Sequence, residues 1–234
     1  MVGELENKTM HKYNLISENR EKLIIFFCGW GMDYTPFHGL ESDEYDILVF
    51  YHYTEINTNI DLDEYFKKYK EVNLISWSMG VWYSSIVMNK YKGKFNHKIA
   101  INGTLKPIDD DFGINTKVYQ ATIDNFSKIG RAKFFKRMWN NTVIPERFIS
   151  HKTVRELEEQ KVELIFLRDK INELPQPENI FENVIIAEND MICPTKNQQN
   201  FWTEKNNYKS IDSSHFIFYL WRKWEEIVEY AIKD

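Results

Sequence analysis

The sequence predicts an α/β fold built on a mostly parallel β-sheet, formed as a single domain over residues 1–234. Short apolar runs alternate with amphipathic segments along the chain, as strands and helices do in such a fold. The middle apolar runs lack a polar residue at every second position, which is typical of strands covered on both faces. The length of 234 residues suits one domain, and no internal repeat suggests a larger division.

Seven apolar runs are the strand candidates, and most are bounded by polar or turn-forming residues. They are residues 13–17, 22–28, 45–51, 73–77, 98–103, 183–188 and 208–212.

Helices are predicted between these runs. Segment 61–69 begins with acidic residues and ends with lysines, which suits the helix dipole. A helix over 79 to about 90 follows the fourth strand directly. In segment 153–174 apolar residues recur at spacings of three and four, so the run LIFL is assigned to a helix. Pro194 suits the first turn of another helix, and an aromatic-rich helix near 217–232 closes the chain.

Residues 105–150 interrupt the alternation, because they contain no convincing central strand. Two stretches, VYQATIDNF and SKIGRAKFFKRMWNNTV, favour helices. A long excursion inside a compact domain is usually functional or disordered, and the many aromatic residues argue against disorder. We therefore expect a helical lid insertion that covers a site.

Composition indicates which partners the protein is expected to bind and in which compartment it is expected to reside. The net charge is −5, which does not favour a nucleic-acid partner. No apolar run approaches the roughly 20 residues that a membrane span needs. Cys28 and Cys193 lie far apart in the sequence, so we do not expect a disulfide framework. We expect instead that the protein resides in a reducing compartment. The polar first ten residues lack a secretory pattern, and Met10 is a possible start that would make residues 1–9 a leader. We expect a cytoplasmic protein with no membrane partner.

The stretch LISWSMGVW, residues 74–82, carries the candidate nucleophile. Ser78 stands between a predicted strand and a predicted helix, where the nucleophile elbow of a serine hydrolase lies. In the elbow pattern G-x-S-x-G, Gly80 supplies the second glycine and Ser76 replaces the first with another small residue. The structural alternative is a serine satisfied by backbone hydrogen bonds at a strand end.

A serine hydroxyl needs a histidine base that an acidic residue orients. In α/β-hydrolases the acid and then the histidine follow the serine along the chain. His215 follows the last predicted strand in the small-residue loop DSSHF, and Asp190 follows the preceding strand in AENDMICP. Glu188 and Asp169 are alternatives, although they fall in a predicted strand and a predicted helix. The sequence thus predicts an α/β-hydrolase fold with a Ser78, His215 and Asp190 triad.

The oxyanion that forms during acyl transfer needs two backbone N–H donors. Met79, directly after the nucleophile, is one expected donor. Trp30 is the other, since Gly29 and Gly31 on either side let the chain turn its N–H inward. An ordinary glycine turn is the alternative.

Cys28 is the rival nucleophile, but no histidine follows it closely, and we interpret it as a packing residue. The sequence contains no H-E-x-x-H or C-x-x-C motif and no glycine-rich nucleotide loop. We therefore expect no metal and no cofactor.

Five basic residues without an intervening acid fall in segment 128–137 of the predicted lid: Lys128, Arg131, Lys133, Lys136 and Arg137. In a chain of net charge −5, this local reversal suits the docking of an acidic partner. We expect the basic side chains to face outward while Phe134, Phe135 and Trp139 face the pocket. A solvated helix face is the alternative.

The motifs FFCGWGMD, SWSMGVW, AENDMICP and SSHF together resemble the pimeloyl-acyl-carrier-protein methyl ester esterases of biotin synthesis, of the BioG type. The more distant BioH type shares the Gly-Trp-Gly loop and the order of the triad. The resemblance extends from about Tyr13 to Trp224. It implies Ser78 as nucleophile, His215 as base and Asp190 as orienting acid.

The resemblance also implies Trp30 and Met79 as oxyanion donors and acyl-carrier protein as the partner that docks on the basic lid. The implied reaction removes the methyl ester of pimeloyl-acyl-carrier protein and releases methanol. Two alternatives stay open at this point. One is a carboxylesterase or thioesterase of broad specificity on the same triad, and the other is a binding protein that kept the fold without turnover.

Overall fold

The computed structural model describes residues 10–203, 205–206 and 208–233, so the possible leader over residues 1–9 lies outside the described residues. Its strands are β1 (His11–Ile16), β2 (Lys22–Phe27), β3 (Tyr45–Tyr51), β4 (Glu71–Trp77), β5 (Lys98–Ile101), β6 (Asn183–Ala187) and β7 (Tyr208–Ile211). They form one sheet in the order β1-β3-β2-β4-β5-β6-β7. β1 is antiparallel to β3, and all the other neighbours are parallel. The predicted fold class is confirmed.

The helices flank this sheet, and they are α1 (Asp63–Lys68), α2 (Met79–Val87), α3 (Thr116–Asp124), α4 (Lys128–Met138), α5 (Glu146–Ser150), α6 (Leu157–Glu173), α7 (Thr195–Trp202) and α8 (Trp224–Ile232). Four of them, α3 to α6, lie between β5 and β6. Among the helices described, none combines the length and the apolar character that crossing a bilayer requires.

Element boundaries differ from the predicted ones where a local backbone feature intervenes. β5 ends before Asn102, which has a positive φ of 47° that a regular strand does not allow. The predicted C-terminal helix begins only at Trp224, because a short 3₁₀ turn and an extended residue precede it. α6 includes the run LIFL, as the periodicity predicted, but begins four residues later than expected.

The central strands are buried on both faces. All of β2 after Lys22 and all of β4 after Glu71 are buried, as expected for parallel strands with helices on either side. One hydrophobic cluster runs through the sheet and includes the fully buried Trp77, Trp82 and Trp202. This core fixes the carboxyl edge of the sheet, to which the loops after β2, β4, β6 and β7 all lead.

Gly80 lies in the first turn of α2, where that helix meets the end of β2. A Cβ atom at this position would lie 2.5 Å from the carbonyl oxygen of Phe27 and 2.6 Å from that of Cys28. Both contacts are with backbone atoms, which cannot move away as easily as the end of a flexible side chain. We expect Gly80→Ala to lower the free energy of unfolding by about 1–3 kcal/mol, as overpacking of a tight contact does, measured by urea denaturation.

Gly93→Ala is the matched control, because a Cβ atom there would meet no atom within 4 Å. Its free energy of unfolding should stay within about 0.5 kcal/mol of the wild type. Similar losses for the two variants would contradict the packing argument.

Candidate active site

Ser78 occupies a strained turn between β4 and α2. Its φ of 56° and ψ of −124° are unfavourable for a residue with a side chain, and its N–H donates to the carbonyl oxygen of Ile101 at 2.9 Å. Ser76, which replaces the usual glycine, is accommodated because its hydroxyl pairs with that of Ser84 at 2.8 Å. The turn therefore has the form of a nucleophile elbow despite the departure from the glycine pattern.

The structure brings together the three side chains that the sequence selected for the triad. Ser78 Oγ lies 3.0 Å from His215 Nε2, and His215 Nδ1 lies 2.8 Å from Asp190 Oδ2. A carboxylate only accepts hydrogen bonds, so the Nδ1–H of a neutral ring donates to Asp190 and leaves Nε2 to accept from Ser78. All three residues are buried, with exposures of 8% for Ser78, 6% for Asp190 and 1% for His215.

The Asp190 carboxylate is held by more than the histidine. Its Oδ1 accepts the N–H groups of Ile192 at 2.8 Å and Cys193 at 3.0 Å, and its Oδ2 also accepts from Gln198 Nε2 at 2.9 Å. These donors stabilise a buried negative charge and fix the direction of Oδ2. The alternative acids lie elsewhere, since Glu188 is exposed and the exposed Asp169 pairs with Arg168.

Asn102, which the sequence analysis did not select, ties the loop of His215 to the sheet. Its side-chain amide donates to the carbonyl oxygen of His215 at 2.9 Å, and its Oδ1 accepts the N–H of Ala187 at 2.7 Å. The indole of Trp77 donates to the same His215 carbonyl at 3.0 Å. A polar residue directly after a buried parallel strand was the available signal, because such residues reach the carboxyl edge of the sheet.

The two backbone groups expected to bind an oxyanion are free in the described part of the chain. Neither the N–H of Trp30 nor that of Met79 donates to another described residue. Met79 opens α2, and the first N–H groups of a helix have no partner within the helix. Gly29 lies against Ser78, since a Cβ atom there would be 3.1 Å from Ser78 Cβ. The loop after β2 thus approaches the candidate nucleophile closely.

Buried hydrogen bonds fasten this loop to α6. The carboxylate of Glu163 is fully buried and accepts the N–H of Gly31 at 3.1 Å and that of Tyr53 at 2.8 Å. Gln160 accepts the indole N–H of Trp30 at its carbonyl oxygen, 2.7 Å away, and donates its amide to the carbonyl of Gly31, also at 2.7 Å. One helix therefore holds the indole of Trp30 and both backbone polar groups of Gly31.

Arg155 balances the charge of Glu163. Its guanidinium lies 2.5 Å from Glu163 Oε2 and 2.6 Å from His52 Nδ1, and its own exposure is 6%. A buried carboxylate without such a partner would be strongly disfavoured. Neither residue was predicted as functional, because the segment that carries them follows the predicted lid and has no recognisable motif.

A cavity opens onto Ser78 and His215. Its walls are mainly apolar with a few polar groups, a composition that is usual for small-molecule sites. The lining residues are Gly29, Trp30, Trp77, Ser78, Met79, Ile114, Val118, Tyr119, Thr122, Phe134, Arg137, Leu164, Ile192 and His215. Residues from α3, α4 and α6 thus close over the carboxyl edge of the sheet.

The five basic residues of segment 128–137 divide into two groups. Lys128, Lys133 and Lys136 are exposed, as expected. Arg131 is held inward, because its guanidinium donates to the carbonyl oxygen of Arg155 at 3.2 Å and to the side-chain oxygen of Gln160 at 3.3 Å. The half-buried Arg137 lines the cavity. The expectation that all five side chains face outward is corrected for these two arginines.

The aromatic residues of α4, and Trp139 directly after it, also differ from one another. Phe134 lines the cavity as predicted and packs edge-on against Trp30, with ring centroids 4.9 Å apart. Phe135 and Trp139 do not line it, and both pack against Phe148 instead. Successive positions on one helix point in different directions, so only part of the aromatic run can face one cavity.

The surroundings of Cys28 disfavour a role as nucleophile. The residue is fully buried, and its Sγ lies 3.7 Å from the carbonyl oxygen of Asp33. Burial raises the pKa of its thiol well above the ordinary value, which disfavours the reactive thiolate. Its interpretation as a packing residue fits this environment.

Comparison with solved structures defines the class of fold. The chain is similar to a lipase-esterase related protein from Clostridium acetobutylicum, with a TM-score of 0.63 at 13% identity over 96% of this chain and all of that one. The chain therefore has the α/β-hydrolase fold. A closer likeness is to BioG from Haemophilus influenzae, with a TM-score of 0.80 and 25% identity over 94% of this chain and 99% of that one.

The family follows from the sequence comparison. Residues 10–227 match the model of the family described as pimeloyl-ACP methyl esterase BioG. The chain belongs to the BioG family. It is also 34% identical over 199 residues to a malonyl-[acyl-carrier protein] O-methyltransferase of Bacteroides fragilis, a match that covers 84% of this chain. The matched region spans only 40% of the length of that relative.

The buried pair of Glu163 and Arg155 generates a stability prediction. Glu163→Leu leaves the guanidinium without its carboxylate, so the free energy of unfolding should fall by about 3–5 kcal/mol. Replacing both residues, as Glu163→Leu with Arg155→Met, removes the uncompensated charge and should cost less than the sum of the single losses. Urea denaturation of the four proteins of this double-mutant cycle measures both effects. Additive losses would show that the two charges do not interact.

Proposed function

We propose that this protein hydrolyses the methyl ester of pimeloyl-acyl-carrier protein, giving pimeloyl-acyl-carrier protein and methanol. The observation that carries the hydrolytic part is the hydrogen-bonded series of Ser78, His215 and Asp190 at the base of an apolar cavity. Membership of the BioG family supports this choice of ester. The relative named as an O-methyltransferase of malonyl-acyl-carrier protein supports a substrate carried on the same kind of protein.

The reaction would proceed in two half-reactions on Ser78. His215 Nε2 takes the hydroxyl proton as Oγ attacks the ester carbonyl, and Asp190 orients the ring and stabilises the imidazolium. The oxyanion accepts hydrogen bonds from the N–H groups of Trp30 and Met79. Methanol leaves with the proton from His215, and an acyl-enzyme remains. Water, deprotonated by His215, then releases the free carboxylate and restores the serine.

We propose further that the helical segment over residues 105–150 acts as the lid of this site. Its residues Val118, Tyr119, Thr122 and Phe134 line the cavity, and Val118 is 42% exposed. An entrance beside this exposed apolar side chain would suit a long acyl chain delivered from a docked carrier. Docking would also serve as a ruler that brings only the terminal ester to Ser78 and leaves the thioester intact.

The docking surface that we propose consists of Lys128, Lys133 and Lys136. All three side chains are exposed on α4, the helix that also contributes Phe134 to the cavity. Positive charge next to the entrance would attract an acidic carrier protein and guide its orientation. The cytoplasmic location expected from the sequence stays a prediction.

Ser78→Ala tests the reaction. Release of methanol from pimeloyl-acyl-carrier-protein methyl ester should fall below about one per cent of the wild-type rate, because the variant lacks the hydroxyl that attacks the ester carbonyl. Labelling by a serine-directed phosphonate should disappear in the same variant. Wild-type enzyme should also restore biotin-free growth to cells that lack their own pimeloyl-ester esterase.

The controls separate the alternatives. A variant Ser78→Ala that keeps more than a few per cent of the wild-type turnover would remove Ser78 as nucleophile. A wild-type protein that hydrolyses small esters but not the carrier-bound ester would point to a broad carboxylesterase. A correctly folded wild-type protein that is neither labelled nor active would be a binding protein.

Charge reversal tests the docking surface. In the triple variant Lys128→Glu, Lys133→Glu and Lys136→Glu, kcat/KM for the carrier-bound ester should fall by at least about tenfold, since like charges across an interface cost several kcal/mol. Hydrolysis of a small aryl ester should change little, because it needs no docking. Added salt should slow the wild type on the carrier-bound substrate selectively. Equal losses on both substrates would indicate a disturbed lid, and no loss would indicate a solvated helix face.

A further inference from the structure

Arg137 is the one formally charged side chain among the described residues that line the cavity. It belongs to the last turn of α4, three residues after Phe134, so both side chains descend from the same face of the helix. The walls around it are apolar and include Ile114, Val118 and Leu164. Arg137 therefore contributes a charged side chain to a cavity whose walls are otherwise mainly apolar.

No described residue neutralises this charge. The Nε atom of Arg137 is buried without a hydrogen-bond partner, and the guanidinium forms no ion pair with any described carboxylate. Burial lowers the pKa of the Arg137 guanidinium, and no nearby carboxylate raises it again. A half-buried cation that is left in this state costs free energy, and in a native structure such a group calls for an explanation.

The other arginines in the same part of the fold have partners. Arg155 pairs with a buried carboxylate at 2.5 Å, and Arg131 donates to carbonyl and amide oxygens at 3.2 and 3.3 Å. The guanidinium of Arg147 also has a buried nitrogen without a hydrogen-bond partner, Nη2, but it lies over a tyrosine ring at 4.2 Å from the centroid, outside the cavity. Arg137 differs from all three because it lines the cavity that contains Ser78, and its buried Nε has no partner among the described residues.

We propose that Arg137 binds an oxygen acceptor at the far end of the substrate's acyl chain, so that the cavity selects esters of dicarboxylic acids. This inference rests on the proposed function and adds the feature of the acyl chain that is recognised. The apolar walls would hold the methylene chain between the ester at Ser78 and the second carbonyl group at Arg137. In a free monoester that group is a carboxylate, and in a carrier-bound chain it is the thioester carbonyl. Both accept hydrogen bonds from a guanidinium.

Matched small esters test this selection without the carrier. Monomethyl pimelate has a carboxylate at the far end of its chain, whereas methyl heptanoate has the same number of acyl carbons and ends in a methyl group. The wild type should hydrolyse monomethyl pimelate with a kcat/KM about tenfold higher, the ratio expected of one charge-assisted hydrogen bond of ordinary strength. In Arg137→Leu the ratio should fall to about one or below. Arg137→Lys keeps the charge and should give a ratio between these values.

Arg147→Leu is the control, because it removes a guanidinium of similar burial from the same helical segment without changing the cavity lining. Its ratio should equal that of the wild type. The thermal unfolding midpoint of each variant checks that the fold is kept. In the Ser78→Ala background, monomethyl pimelate should bind more tightly than methyl heptanoate by calorimetry, and Arg137→Leu should remove that difference.

Two results would overturn the inference. One is a wild-type ratio near one, and the other is a loss in Arg137→Leu that is equal on both esters, since a merely structural arginine would act in that way. Either result leaves the proposed function standing as long as hydrolysis depends on Ser78. Hydrolysis that persists in Ser78→Ala would instead contradict the proposed function itself.

Discussion

The buried carboxylate of Glu163 is the constraint on which the geometry of the site most depends. It joins α6 to the loop after β2 through Gly31 and to the loop after β3 through Tyr53, and it does so from a position 132 residues beyond Gly31. A loop with two glycines has many conformations available in isolation. The carboxylate and its Arg155 partner select one of them, in which the N–H of Trp30 has no partner among the described residues and Gly29 lies against Ser78.

The parallel sheet supplies the second half of this arrangement. Loops after β4, β6 and β7 bring Ser78, Asp190 and His215 to one edge, and Asn102 after β5 connects the end of β6 to the loop of His215. Each of the three side chains is buried, so its polar atoms must find partners within the protein. The hydrogen bonds that satisfy them also fix their mutual distances. Satisfaction of buried polar groups and precise placement of the site are thus the same physical requirement here.

The sequence predicted the features that depend on local pattern. Apolar runs located the strands, and the turn around Ser78 together with the loops of Asp190 and His215 gave the candidate triad that the structure brings together. It did not predict Glu163, Arg155 or the direction of Arg137. A glutamate inside an amphipathic helix resembles any solvated residue until the opposite loop is known. The orientation of Arg137 depended on how α4 packs against Trp30, which is a tertiary contact without a local signature.

Trp30 forms part of the cavity wall and also belongs to the loop beside Ser78, so a substitution there affects both. Its indole packs against Phe126 and Phe134, at centroid distances of 5.3 and 4.9 Å, and Trp30 lines the cavity, while its neighbour Gly29 lies against Ser78. A substitution that widens the wall here would also disturb the loop that approaches Ser78. Val118 and Thr122, which also line the cavity, belong to α3 and not to that loop. Divergence toward other acyl chains is therefore easier along α3, and the Trp30 side should change slowly among enzymes that share this cavity.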